Sequence, residues 1–195
     1  MPEEVPELIV VDAAAWSRWL TGHGSSAPGV WLVLAKKQTT EPTRLTYDEA
    51  LEAAICHGWV DGQLARRDEG TFRRRFTPRR PGSVWSKRNV AIAGRLIDQG
   101  RMRPAGLAAI ERAKDDGTWE VAYEGQAKME VPVELAAALE ANPSARATFE
   151  ALDRVNRYAI LYRVTTAKRP DTRQRRAEQF VAMLARGDSA GKLFS

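Results

Sequence analysis

The sequence predicts an α+β protein: a small, mainly antiparallel sheet packed by helices over residues 1–118, then a helical region over 119–195. Three observations carry this reading. Val30–Ala35 is a short apolar run of strand-forming residues. Two more strand-like runs flank Asp68-Glu69-Gly70, a sequence suited to a hairpin turn. Beyond them, prolines at 104, 132, 143 and 170 punctuate helical patterns, because proline fits a first turn and breaks an interior one.

Taken in order, Asp12 is placed to cap a first helix carrying Trp16, Trp19 and Leu20 at helical spacing, which ends in the 22–29 stretch. His23 falls there, in an expected loop without an obvious partner. The strand 30–35 leads through Lys36-Lys37 into a polar loop. Thr46 followed by Glu49 is a capping-box pattern opening a helix through Leu51, Ala54 and Ile55, and Gly58 ends it. Strands are expected over Trp59–Arg67 and Thr71–Thr77. Trp85, Asn89, Ile92 and Leu96 form one helical stripe, with Ser83 or Ser86 as its cap and Gly100 near its end. Pro104 starts the next helix, to about Asp116. Residues 117–131 read as a connector, and three or four helices follow.

The 195 residues, 44% hydrophobic and 28% charged, fit an ordinary globular chain with one good core, or one domain with a helical appendage. No apolar run approaches the roughly 18–20 residues of a membrane span. The start, Met-Pro-Glu-Glu-Val-Pro-Glu, is acidic and proline-rich, unlike the basic and then apolar start of a signal peptide, so a cytoplasmic location is expected. Cys56 is the only cysteine, which leaves no intrachain disulfide. There is no Gly-x-Gly-x-x-Gly, no Gly-Lys-Ser/Thr phosphate loop, no His-Glu-x-x-His and no cysteine pair for zinc. Neither a metal nor a cofactor is indicated.

Positive charge is focused. Between Arg66 and Arg88 lie nine Lys or Arg residues against Asp68 and Glu69, a local +7 that exceeds the +5 of the whole chain. A second cluster, Arg163 to Arg176, includes Lys168, Arg173 and Arg176. Arg79, Arg80, Lys87 and Arg88 surround the expected start of a helix, with Ser86 beside it, and helix N-termini flanked by cations suit phosphate or carboxylate groups.

Alternation along 71–77 puts Phe72, Arg74 and Phe76 on one face and Thr71, Arg73, Arg75 and Thr77 on the other. If the phenylalanines face the core, Arg74 goes inward with them and needs a carboxylate, Asp61 or Asp68. The other reading has Arg74 lining a pocket with Trp59, Asp61 and Asn89. Cys56-His57 offers a nucleophile and a base, but neighbours at a helix end point in different directions, so packing is the expectation.

Gly58-Trp59-Val60-Asp61-Gly62, Arg75-Phe76-Thr77-Pro78-Arg79-Arg80-Pro81 and Trp85-Ser86-Lys87-Arg88-Asn89 resemble the YdeI/OmpD-associated family, also labelled bacteriocin-protection proteins. Ala167-Lys168-Arg169-Pro170-Asp171-Thr172-Arg173 with Arg176 is similar to that family's second signature. The resemblance is taken to run from Leu8 to Gly187. It implies a bacterial protein without an established catalytic activity, named for association with resistance to bacteriocins or cationic peptides. In that family an aromatic residue usually stands where this chain has His57, which again implies packing.

The function expected is a non-enzymatic stress or envelope-defence protein that binds an anionic small molecule or protein partner through Arg79, Arg80, Ser86, Lys87, Arg88, Lys168, Arg173 and Arg176. The alternatives are an enzyme using the Trp59/Asp61/Arg74/Asn89 pocket, and a nucleic-acid-binding protein with salt-sensitive affinity. Oligomeric state is not legible.

Overall fold

The structure, a computed structural model, describes residues 5–125 and 128–187, and the chain falls into two compact units. The first runs to Ser83 and resumes over Asn89–Asp116; the second takes Val84–Arg88 and continues from Gly117. The segment 84–88, which the sequence reading places in the first region, is grouped with the second unit.

The first unit holds a four-stranded sheet of order β1-β2-β4-β3. Its strands are β1 (Glu7–Leu8), β2 (Val30–Ala35), β3 (Trp59–Arg66) and β4 (Thr71–Pro78), and its helices include α1 (Ala13–His23) and α2 (Tyr47–Cys56). β2, β4 and β3 pair antiparallel, whereas β1 runs parallel to β2, so the sheet is mixed. The caps act as read: Asp12 accepts from the Ala15 N–H at 2.9 Å, and Thr46 and Glu49 complete a capping box. His23 is not in a loop. It is the last residue of α1 and stacks on Trp19 with ring centroids 5.1 Å apart.

One face of the sheet packs on α1 and α2. Trp16, Leu20, Leu32, Leu34, Ala50, Ala54, Trp59 and Phe76 form its buried cluster. Trp16 meets Trp59 and Phe76 edge-on, and its indole N–H donates to the Ala50 carbonyl at 3.1 Å. Arg74 is carried to this face between the two phenylalanines, and Asp61 meets it at 2.6 Å. The Tyr47 hydroxyl donates to the same carboxylate, and the guanidinium lies over the Tyr47 ring. Asp68, the other candidate partner, instead closes the hairpin by accepting from the Gly70 and Thr71 N–H groups.

Helices α3 (Lys87–Asp98) and α4 (Pro104–Asp115) follow. α3 begins after Trp85, so the expected stripe loses its first member; Asn89, Ala93 and Leu96 are its buried residues. Gly58, at φ +75°, ends α2 and lies so close to α4 that a Cβ would sit 2.7 Å from the Ala105 carbonyl oxygen. Only glycine fits there.

The second unit holds α5 (Val133–Glu140), α6 (Pro143–Ala151), α7 (Arg154–Thr165) and α8 (Pro170–Ala185). Its core includes Leu135, Leu139, Phe149, Ile160, Val164, Phe180 and Leu184. Pro143 and Pro170 stand in first turns, and Pro132 is the N-cap of α5. The 84–88 segment joins this unit through Trp85, edge-on to Trp119 at 4.9 Å, and through a bridge between Ser86 and Tyr123.

Candidate functional site

The sheet face opposite the phenylalanines bears Trp31, Arg73, Arg75 and Thr77, by the pairing of Trp31 with Arg75 and of Val60 with Thr77. A register shift between Asp61 and Leu64 interrupts the β3–β4 ladder at Gly62-Gln63, and such bulges re-aim the side chains they carry. The chain leaving β4 then folds back beside this edge. It is fixed at three points: the Arg79 N–H donates to the Gly58 carbonyl, the Ser83 N–H to the Arg80 carbonyl, and the Gly82 N–H to the Asp116 carboxylate. Gly82 takes φ +74°, a turn conformation that disfavours any side chain. The result is a cleft of about 530 Å³ lined by Val60, Gln63, Arg75, Thr77, Pro78, Arg80, Pro81 and Ser83 with the two glycines.

No carboxylate lines this cleft, and neither Arg75 nor Arg80 has an acidic partner among the described residues. The Nε of Arg75 is buried without a hydrogen-bond partner. A buried donor left bare costs roughly 1–3 kcal/mol. Arg73, two residues away on the same face, shares the bare buried Nε but has an acidic partner: it pairs with Glu7 at 3.3 Å and lies over the Trp31 ring. The positive charge at Arg75 and Arg80 is therefore available to a ligand in a way that the charges of Arg73, Arg74 and Arg173, each held by a carboxylate, are not.

The residues named from sequence fall in both units. Arg79 is only 7% exposed, so it leaves the expected basic face: its N–H pairs to Gly58 and its guanidinium is carried into the protein. Arg80 is exposed and lines the cleft. Ser86, Lys87 and Arg88 belong to the second unit, where Lys87 pairs with Glu124 at 2.9 Å. Arg173 pairs with Glu134 at 2.8 Å, Arg176 donates to the Arg163 carbonyl, and Lys168 is exposed. Of the other pocket, Trp59 is buried and its indole donates to the Gly24 carbonyl; Asp61 and Arg74 satisfy each other; Asn89 is buried on α3. Gln63, Arg75, Thr77 and Ser83 are the site residues that sequence reasoning did not select. The strand alternation already set Arg75 opposite the phenylalanines, and that was the signal available.

Two further clefts carry charged side chains. In the second unit, about 570 Å³ is lined by Lys87, Glu124, Lys128, Glu130, Glu134 and Arg173 around Val121, Met129 and Val131. Here the charges answer each other, and the hydrogen bond from Arg173 holds the Glu134 carboxyl below the usual range. In the first unit, Ser17, Glu52, Cys56, His57, Arg101 and Arg103 line a third cleft. The Ser17 hydroxyl lies 3.1 Å from the His57 Nε2. Burial pushes the Cys56 thiol up and His57 down, the latter assisted by the charge of Arg103. A proton taken from Ser17 would create an imidazolium beside that cation, which opposes general-base chemistry.

Among the described residues no group of three or more His, Cys, Asp or Glu could hold a metal ion, and no helix is long and apolar enough to cross a membrane. An α+β unit with an acid-free arginine cleft, followed by a helical unit, defines the class of protein. The chain belongs to the family described as Domain of unknown function (DUF8412), whose model matches residues 8–109, just over half of its length. Residues 128–187 match the model described as Bacteriocin-protection, YdeI or OmpD-Associated. The resemblance read from sequence thus holds over the helical part, and is narrower than Leu8 to Gly187: the motifs from Gly58 to Asn89 lie within the first match instead. No curated protein and no solved structure matches the chain.

Proposed function

We propose that this is a non-enzymatic binding protein of the bacteriocin-protection type, acting in stress or envelope defence, that takes an anionic ligand in the cleft of Arg75 and Arg80. The observation that carries the reading is the absence of any carboxylate from a cleft lined by two arginines, neither of which has an acidic partner among the described residues. Guanidinium groups bind planar oxyanions through paired N–H donors, and they bind best where no resident acid competes. Direct capture of a cationic peptide would call for an acidic surface, so the ligand of this cleft is not the peptide itself.

Calorimetric titration with sulfate, citrate and inorganic phosphate at low ionic strength tests this. Saturable binding is expected, weakened at least about tenfold in Arg75→Met/Arg80→Met, a loss of one charge-assisted hydrogen bond or more. No binding of any of the three, or equal binding by the double variant, would overturn the reading.

A further inference from the structure

We propose that the ligand of the Arg75/Arg80 cleft is an organic phosphate monoester, bound as its dianion. This rests on the anion-binding reading above and narrows it to a chemical class.

Charge balance makes the first selection. Two arginines line a cleft with no carboxylate in its lining, and Asp116, near the connector, is engaged with the Gly82 N–H. A carboxylate or a phosphodiester brings one negative charge and leaves one arginine unanswered. A phosphate monoester near neutral pH brings about 1.5 to 2.

Donor number makes the second. Each guanidinium carries several N–H donors, and Gln63, Thr77 and Ser83 add an amide and two hydroxyls whose side chains make no other hydrogen bond among the described residues. Three terminal phosphate oxygens accommodate that set better than the two of a carboxylate.

Shape makes the third. About 530 Å³ lies within the range of small-molecule sites and far exceeds a bare ion, and Val60, Pro78 and Pro81 supply apolar wall for an organic group. No aromatic side chain lines the cleft, so the stacking platform on which single-stranded nucleic acid relies is missing there.

The test exploits the second phosphate ionisation, near pH 6. The full chain is titrated with phenyl phosphate at about pH 5 and about pH 7.5, expecting roughly tenfold tighter binding at the higher pH. Phenyl sulfate, a permanent monoanion of the same shape, is expected to bind at least about tenfold more weakly near neutrality, with no pH dependence. Equal binding of phenyl sulfate with a flat profile would overturn the phosphate assignment while leaving the anion site intact. Inorganic phosphate binding as tightly as phenyl phosphate would remove the organic group. Unphosphorylated and 5′-phosphorylated oligonucleotides binding alike would transfer the assignment to a nucleic-acid backbone. Failure of every anion would remove both readings. Arg80 is exposed, so Arg80→Met alone keeps the fold and still must weaken phenyl phosphate.

Discussion

The arginine cleft of the first unit and the charged cleft of the helical unit are close in volume and draw on the same kinds of side chain, yet they differ in what those side chains have left to offer. In the helical unit Lys87 and Arg173 each meet a glutamate below 3 Å. In the first unit Arg75 and Arg80 meet none among the described residues. A count of charges along a sequence window treats these alike. Pairing separates a cation that stabilises its own fold from one that is held ready for something else, and it is decided by residues dozens of positions away.

The largest expected effect breaks that comparison if it fails. Arg75→Met/Arg80→Met is expected to lower phosphate affinity about a hundredfold, from two charge-assisted contacts of roughly 1.5 kcal/mol each, with the melting temperature unchanged or raised. Calorimetry and thermal melts measure both. If Arg173→Met or Lys87→Met lowers the same affinity as far, the distinction is wrong. Next comes Asp61→Leu, which leaves Arg74 unpaired on the core face of the sheet and is expected to cost about 2–3 kcal/mol in urea unfolding, since the pair is largely but not fully enclosed. Adding Arg74→Met should restore most of that loss, the mark of a structural pair.

Smaller effects sharpen the contrast. Arg173→Met is expected to cost about 1 kcal/mol or less, the range for partly exposed ion pairs, and to leave phosphate binding intact. Glu134 titrates below its ordinary value of 4.5 when folded, because Arg173 hydrogen-bonds it. Its contribution is therefore complete above that value and is lost as pH falls through the lower, folded one. Hydrogen exchange in α5 and α8 should show this acid limb in the parent and lose it in the variant. The smallest effect belongs to His57, depressed below 6.5 by burial and then by Arg103. The unfolded chain binds more protons just below 6.5, so stability should rise with pH there, and His57→Phe should flatten that slope in urea midpoints.

Local signals were the ones legible in sequence. Asp12, Thr46 with Glu49, Pro104 and Pro143 act on the nearest turn, so they placed helix starts correctly. Strand alternation sent Arg74 inward and named Asp61 as one of two partners. Where reading failed, the deciding contact was distant or short. β1 is two residues long and exists only by pairing with β2. Trp85 fits the helical period of α3 but is claimed by Trp119. Arg79 lies one residue past β4, where alternation no longer applies, and Ser17 meets a histidine 40 positions on. The arginine cleft lay half in view: Arg75 was on the correct face, but nothing local shows that a neighbour lacks an acid.

The short passage of Val84–Arg88 through the second unit has a consequence for dissecting the molecule. A cut after Asp116 separates Trp85 from Trp119 and Ser86 from Tyr123. The leading fragment would carry an orphaned indole, and the trailing one would lack the segment that completes it. Such halves are complementary pieces rather than autonomous modules, and mixing them should recover what neither shows alone.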